Sequence, residues 1–117
     1  MTLNKIIEEL ELETVYGGTG LDADVSRGYA SDLLSDVIAN TQKGDIWVTM
    51  QIHPNIAAVA SMKELSGIVI INGRRPQTET LEKAEEENIP VMVSRLPAFE
   101  LIGRLYKLGI TGIGKNA

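Results

Sequence analysis

Ile68-Val69-Ile70-Ile71, broken at once by Asn72-Gly73-Arg74-Arg75-Pro76, is the stretch that decides the fold. Four consecutive aliphatic residues, three of them isoleucine, suit a strand covered on both faces. Asparagine, glycine and proline then end it. The next stretch has a different period: Thr78 is placed to cap a helix in which Leu81, Ala84 and Glu85 share a side, running to Asn88. Pro90-Val91-Met92-Val93-Ser94 returns to the strand pattern.

Working outward, the same alternation holds on both sides. Upstream, Ile46-Trp47-Val48-Thr49-Met50 is a second apolar run, and His53-Pro54-Asn55 opens a helix, since proline is tolerated in a first turn. Its buried side is expected to be Ile56, Val59, Ala60 and Met62 or Lys63, closing at Leu65-Ser66-Gly67. Downstream, Pro97 starts a last helix with Phe99, Ile102, Leu105 and Tyr106 turned inward. Before Ile46, Ser31 can cap a helix carrying Leu33, Leu34, Val37 and Ile38, ended by Lys43-Gly44. Two short strands, Glu13 to Tyr16 and Val25 to Tyr29, flank Gly17-Gly18-Thr19-Gly20, a turn rich in positive φ. Thr2 caps an opening helix with Leu3, Ile6, Ile7 and Leu10 on one face. Strands alternating with helices mean βαβ units, so the expected fold is a single small α/β domain with a predominantly parallel sheet flanked by helices. The pattern fixes no strand order. The domain should span 1–110, with 111–117, which holds two glycines and no periodicity, as a flexible tail.

Composition narrows the chemistry. The 117 residues are 44% hydrophobic and 23% charged, enough for one core. A net charge of −5 disfavours a broad nucleic-acid surface, which needs a basic stripe. Without cysteine there is no thiolate metal site, disulfide or cysteine nucleophile, and His53 is the sole imidazole. No cofactor is expected. Met1 to Lys5 lacks the pattern of a secretory signal, and no apolar run approaches the roughly 20 residues of a membrane span. A cytoplasmic protein is the expectation.

In a parallel sheet, ligands bind beyond the carboxyl ends of the strands. That edge collects Ser31 and Asp32, then Gln51, His53 and Asn55, then Asn72, Gly73 and Arg74, then Ser94. Amides, hydroxyls and guanidinium against one carboxylate suit a small anionic ligand, although Ser31, Asn55 and Thr78 also serve as helix caps. Asp32 is the acidic residue that could orient His53 for proton transfer. Gly112-Ile113-Gly114-Lys115-Asn116 has neither the spacing nor the hydroxyl of a phosphate-binding P-loop.

Gly28-Tyr29-Ala30-Ser31-Asp32-Leu33-Leu34-Ser35-Asp36, followed by Gly44-Asp45-Ile46-Trp47-Val48-Thr49, resembles the DRTGG-domain family, above all its short stand-alone members. The likeness continues through His53-Pro54-Asn55-Ile56, Ile70-Ile71-Asn72-Gly73-Arg74 and Ile89-Pro90-Val91, from about Leu3 to Gly109. The resemblance implies the fold of the N-terminal domain of HPr kinase/phosphorylase, without the kinase half. It also implies a non-enzymatic regulatory role beside catalytic domains, and pairing as a homodimer. The alternative it implies is a ligand-free interaction subunit, with a protein partner in a metabolic or electron-transfer system. The family takes its name from an Asp-Arg pair and a Thr-Gly-Gly. Here those stretches read Gln51-Ile52-His53 and Asn72-Gly73-Arg74, so only Gly73 survives.

Overall fold

The computed structural model describes residues 1–114. Among the described residues, five helices, α1 (Leu3–Leu10), α2 (Leu34–Asn40), α3 (Asn55–Met62), α4 (Thr78–Glu87) and α5 (Ala98–Lys107), accompany five strands and alternate with them from β2 onward. The strands are β1 (Glu13–Tyr16), β2 (Gly28–Ala30), β3 (Ile46–Thr49), β4 (Gly67–Ile70) and β5 (Val91–Val93). They form one sheet in the order β1-β5-β4-β3-β2, parallel except for β1, which runs antiparallel to β5 at the edge. From β2 to β5 each strand is laid beside its predecessor in the same direction, as repeated crossovers of one hand produce.

The sheet separates two cores. On one face Val37 of α2, Ile56, Ala57 and Ala60 of α3 and Ala84 of α4 pack on Trp47, Ile68, Ile70 and Val91. On the other, Leu3 and Ile6 of α1 and Leu101 and Leu105 of α5 cover Ile46, Val48, Val69 and Met92. Strands β3, β4 and β5 are buried along their whole length, which is why they read as continuous apolar runs.

Several expectations are corrected. Phe99 and Tyr106 do not face the core: Phe99 is 90% exposed and Tyr106 54%, while Leu101 and Leu105 fill the inner face of α5. Leu105 is inward as expected, whereas both aromatic positions are turned outward. The strand expected over Val25 to Tyr29 is shortened because the Val25 N–H donates to the Met1 carbonyl and Asp24 bridges Thr2, leaving Gly28–Ala30 to pair with β3. Helix α2 starts two residues later than a Ser31 cap would place it, and its cap position is Leu33. The Ser31 hydroxyl instead accepts from the Leu33 N–H at 3.1 Å, forming a local turn before the helix. The α4 cap position is Gln77 rather than Thr78. Thr2 does cap α1, accepting from the Lys5 N–H. Hydrogen bonding runs past residue 110: the Thr111 carbonyl accepts from Gly28 N–H and the Gly112 N–H donates to the Tyr106 hydroxyl. Residues 115–117 of the expected tail lie outside the described residues. Among those described, no helix is long and apolar enough to cross a membrane.

Candidate functional site

The carboxyl ends of the parallel strands are tied to one another by side chains from the loops that succeed them. Register sets the first tie. Ala30 lies opposite Val48, so two residues further on Asp32 comes beside Met50. One Asp32 carboxylate oxygen accepts from the Thr49 hydroxyl and from the Met50 N–H, both at 2.7 Å, and the Asp32 carbonyl accepts from the Gln51 side-chain amide at 3.0 Å. The Ser31 carbonyl accepts from the Trp47 indole N–H at 2.8 Å, so the same loop is pinned from beneath the sheet.

The second tie joins β3 to β4. Ile71-Asn72-Gly73-Arg74 closes with an Arg74 N–H to Ile71 carbonyl bond, and Asn72 and Gly73 have φ of +60° and +66°. Two consecutive left-handed residues define a type I′ turn, for which Asn-Gly is the favoured pair. The turn aims Arg74 back across the sheet end, where one guanidinium N–H donates to the Met50 carbonyl at 2.6 Å. Asn72 contacts the Met50 sulfur through its amide at 3.3 Å. A third tie reaches β5: the Gly73 N–H donates to the Ser94 carbonyl at 2.8 Å and the Asn72 N–H to the Leu96 carbonyl at 3.0 Å. Ser94 itself is buried, its hydroxyl accepting from the Leu96 N–H.

The structure therefore brings together Ser31, Asp32, Gln51, Asn72, Gly73, Arg74 and Ser94 as one continuous edge. His53 and Asn55 stand apart from it. The His53 Nδ1 lies 3.0 Å from the Gln77 side-chain amide, and Asn55 is exposed at the start of α3. Asp32 is engaged with Thr49 and Met50 rather than with His53, so the acid–base pair considered from sequence is not assembled. Thr49 and Met50 were missed as members of this edge, and Gln77 as the neighbour of His53. The signal that would find them is the β2–β3 register, which sequence alone does not carry.

Charge at the edge is mixed. The Arg75 guanidinium binds Glu13 through two hydrogen bonds of 2.7 and 2.8 Å. That grip holds the Glu13 carboxyl below the usual carboxylate range, with Arg95 adding to the effect. Arg74, Arg75, Arg95 and Asn72 are all exposed, and so are the Asp32 and Glu13 carboxylates, so the edge presents N–H donors interleaved with acidic groups. Beside it, Glu11, Glu13, Ser94, Arg95, Leu96 and Arg104 line a hollow of about 390 Å³. Such an arrangement can bind an anion by charge-assisted hydrogen bonds.

No family model matches this sequence, and no curated protein does. Solved structures do. The chain aligns over 94% of its length with the CBS and DRTGG domains of the regulatory region of Clostridium perfringens pyrophosphatase, a complex with the activator diadenosine tetraphosphate, at 18% identity and a TM-score of 0.75. It spans 47% of that chain, about half of its length. A cellulase structure from microbes associated with the gut ecosystem aligns over 81% of this chain and 53% of its own, with 12% identity and a TM-score of 0.50. Likeness at such identities is one of architecture, and the five-stranded, mostly parallel sheet flanked by helices has a DRTGG-like fold.

Proposed function

We propose that this chain is a non-enzymatic regulatory module of the cytoplasm that senses a small anionic, nucleotide-like ligand at the carboxyl edge of its parallel strands, and that it works as a homodimer. The observation that carries the reading is Arg74. A type I′ turn sets it over the β3–β4 junction, one N–H of the exposed guanidinium anchored on the Met50 carbonyl, with Asn72 on the same methionine. An arginine held in this way has lost much of its freedom before any ligand arrives, which lowers the cost of binding. Support comes also from the fold neighbour, a regulatory region whose activator is a dinucleoside polyphosphate. The ties that use Asp32, Ser94 and Thr49 internally favour a rigid binding platform over a reacting centre.

The test is thermal unfolding of the purified chain with and without diadenosine tetraphosphate, ATP, ADP, AMP and acetyl phosphate. A ligand present at about 100 times its dissociation constant adds roughly 2.7 kcal/mol. At ~4 °C or more per kcal/mol for a domain of this size, that is a midpoint rise of about 10 °C. Arg74→Ala should cut the rise to a small fraction while leaving the unliganded midpoint nearly in place. A flat response to every compound at millimolar concentration would overturn the sensor reading.

A further inference from the structure

We propose that the outer face of α5 is the surface through which two copies of this chain pair, antiparallel across a two-fold axis near Gly103. The inference rests on the homodimer reading and adds where the copies meet.

Helix α5 carries two apolar faces. Leu101 and Leu105 are buried against the sheet at 0% and 3% exposure. On the other side stand Phe99, Ile102, Gly103 and Tyr106, spaced i, i+3, i+4, i+7, which is the spacing of a single helical stripe. One exposed apolar residue is ordinary in any protein surface. A phenylalanine exposed to 90%, aligned with a tyrosine exposed to 54% whose hydroxyl alone is held by the Gly112 N–H, forms an apolar ridge that stays open among the described residues.

The surroundings of the ridge have the shape an isologous contact needs, a knob and a hollow on the same patch. One hollow, of about 510 Å³, runs along the ridge past Leu10, Gly103 and Leu108. Another, of about 230 Å³, lies on the far side of the helix between Tyr106, Ile102, Ile113 and the small residues Gly28 and Ala30 of β2. At the centre sits Gly103, where an added Cβ would meet no atom within 4 Å. Glycine in a helix interior weakens the helix. Here it clears the space for a second backbone to approach closely.

Charge fixes the direction. Glu100 occupies the first turn of α5, and Arg104 and Lys107 the last. Two such helices side by side and parallel would set like charges together. Antiparallel, Glu100 of each copy meets Lys107 of the other, and the helix dipoles are opposed as well. Within one copy Glu100 has only a long contact to Arg104, at 3.8 Å, and Glu9 across the groove is held by Lys5 at 3.2 Å. A second copy is the occupant whose Glu100 and Lys107 complement those of this face at both ends of the ridge.

The experiment is a concentration series by analytical ultracentrifugation on the wild type, Phe99→Asp, Glu100→Lys, Lys107→Glu and the Glu100→Lys/Lys107→Glu double variant. The wild type should be dimeric at micromolar concentration, and Phe99→Asp should raise the dissociation constant at least tenfold with an unchanged circular-dichroism spectrum, its side chain being outside the core. Each charge reversal alone should weaken the dimer, and the double variant should recover most of it. A wild type still monomeric at ~1 mM would overturn the homodimer and this surface together. A dimer whose constant moves less than twofold in Phe99→Asp and in both single reversals would overturn the surface alone and leave the homodimer standing on another face.

Discussion

Asp32 is the residue whose replacement tests the strand-end frame most directly. In Asp32→Ala, the Thr49 hydroxyl and the Met50 N–H each lose a charged acceptor at 2.7 Å. Hydrogen bonds to charged groups contribute about 1.5–3 kcal/mol each in favourable settings. The two losses differ. Met50 is exposed, so water replaces most of what its N–H loses, whereas Thr49 is 2% exposed and its hydroxyl stays under the loop. Asp32 is itself exposed, which weakens its bonds further, so the lower part of the range applies: a loss of ~2 kcal/mol, or a fall in midpoint of about 8 °C. Asp32→Asn keeps an oxygen in the same place and can still accept both bonds, so it should cost under ~1 kcal/mol. Urea unfolding monitored by circular dichroism measures both. A loss below ~0.5 kcal/mol in Asp32→Ala, or an Asn variant as damaged as the Ala variant, would refute this frame. The Asn variant has a second use: it stays folded without the charge, so an unchanged ligand response in it assigns Asp32 to the frame and not to the ligand.

Gly73→Ala puts a side chain on a residue at φ +66° with open space around it, so the cost is backbone strain without collision, ~1–2 kcal/mol by urea unfolding, and a neutral result would argue against the type I′ turn. The Asp36 carboxyl is held below its ordinary range by the hydroxyls of Ser31 and Tyr29, with the Asn40 amide assisting. A carboxylate depressed in the folded state contributes stability that is fully present above its unfolded value of ~3.9 and is lost as pH falls through the lower folded value. The stability gap between wild type and Asp36→Asn should therefore be constant from neutral pH down to pH ~5 and shrink below pH ~4, as read by denaturant titration across pH; a gap that persists unchanged to pH ~2.5 would refute the assignment.

The α/β class was legible because β3, β4 and β5 are buried on both faces and leave apolar runs that helices of different period interrupt. Thr2 as a cap, Pro97 ahead of α5 and the break at Asn72-Gly73 come from local chemistry and hold in three dimensions. The misreadings of β2 and α5 come from competition by partners distant in sequence, and that of the α2 start from a local turn at Ser31. Val25 bonds to Met1 instead of extending β2, and α5 turns its leucines inward because the sheet offers an aliphatic surface there. The site was legible as an edge and illegible as a network. Strand-end logic gathered Asp32, Asn72, Gly73 and Arg74, but the Thr49–Asp32 and Arg75–Glu13 contacts span 17 and 62 positions and depend on register. His53 drew notice as the sole imidazole, yet its neighbour is an amide, Gln77, contributed by the next loop.

The order in which the strands are laid down bears on how the chain reaches this structure. From β2 to β5 every new strand docks on the one formed just before it, so each step closes a short loop and can build on the last. The β1–β5 pairing is different, since Glu13 meets Val93 across most of the sequence. The entropic cost of that closure grows with the span and is met only once the other edge exists. Topology predicts that helix α1 and strand β1, first in sequence, are the last to find their place. On that expectation the amino-terminal segment completes the domain instead of seeding it.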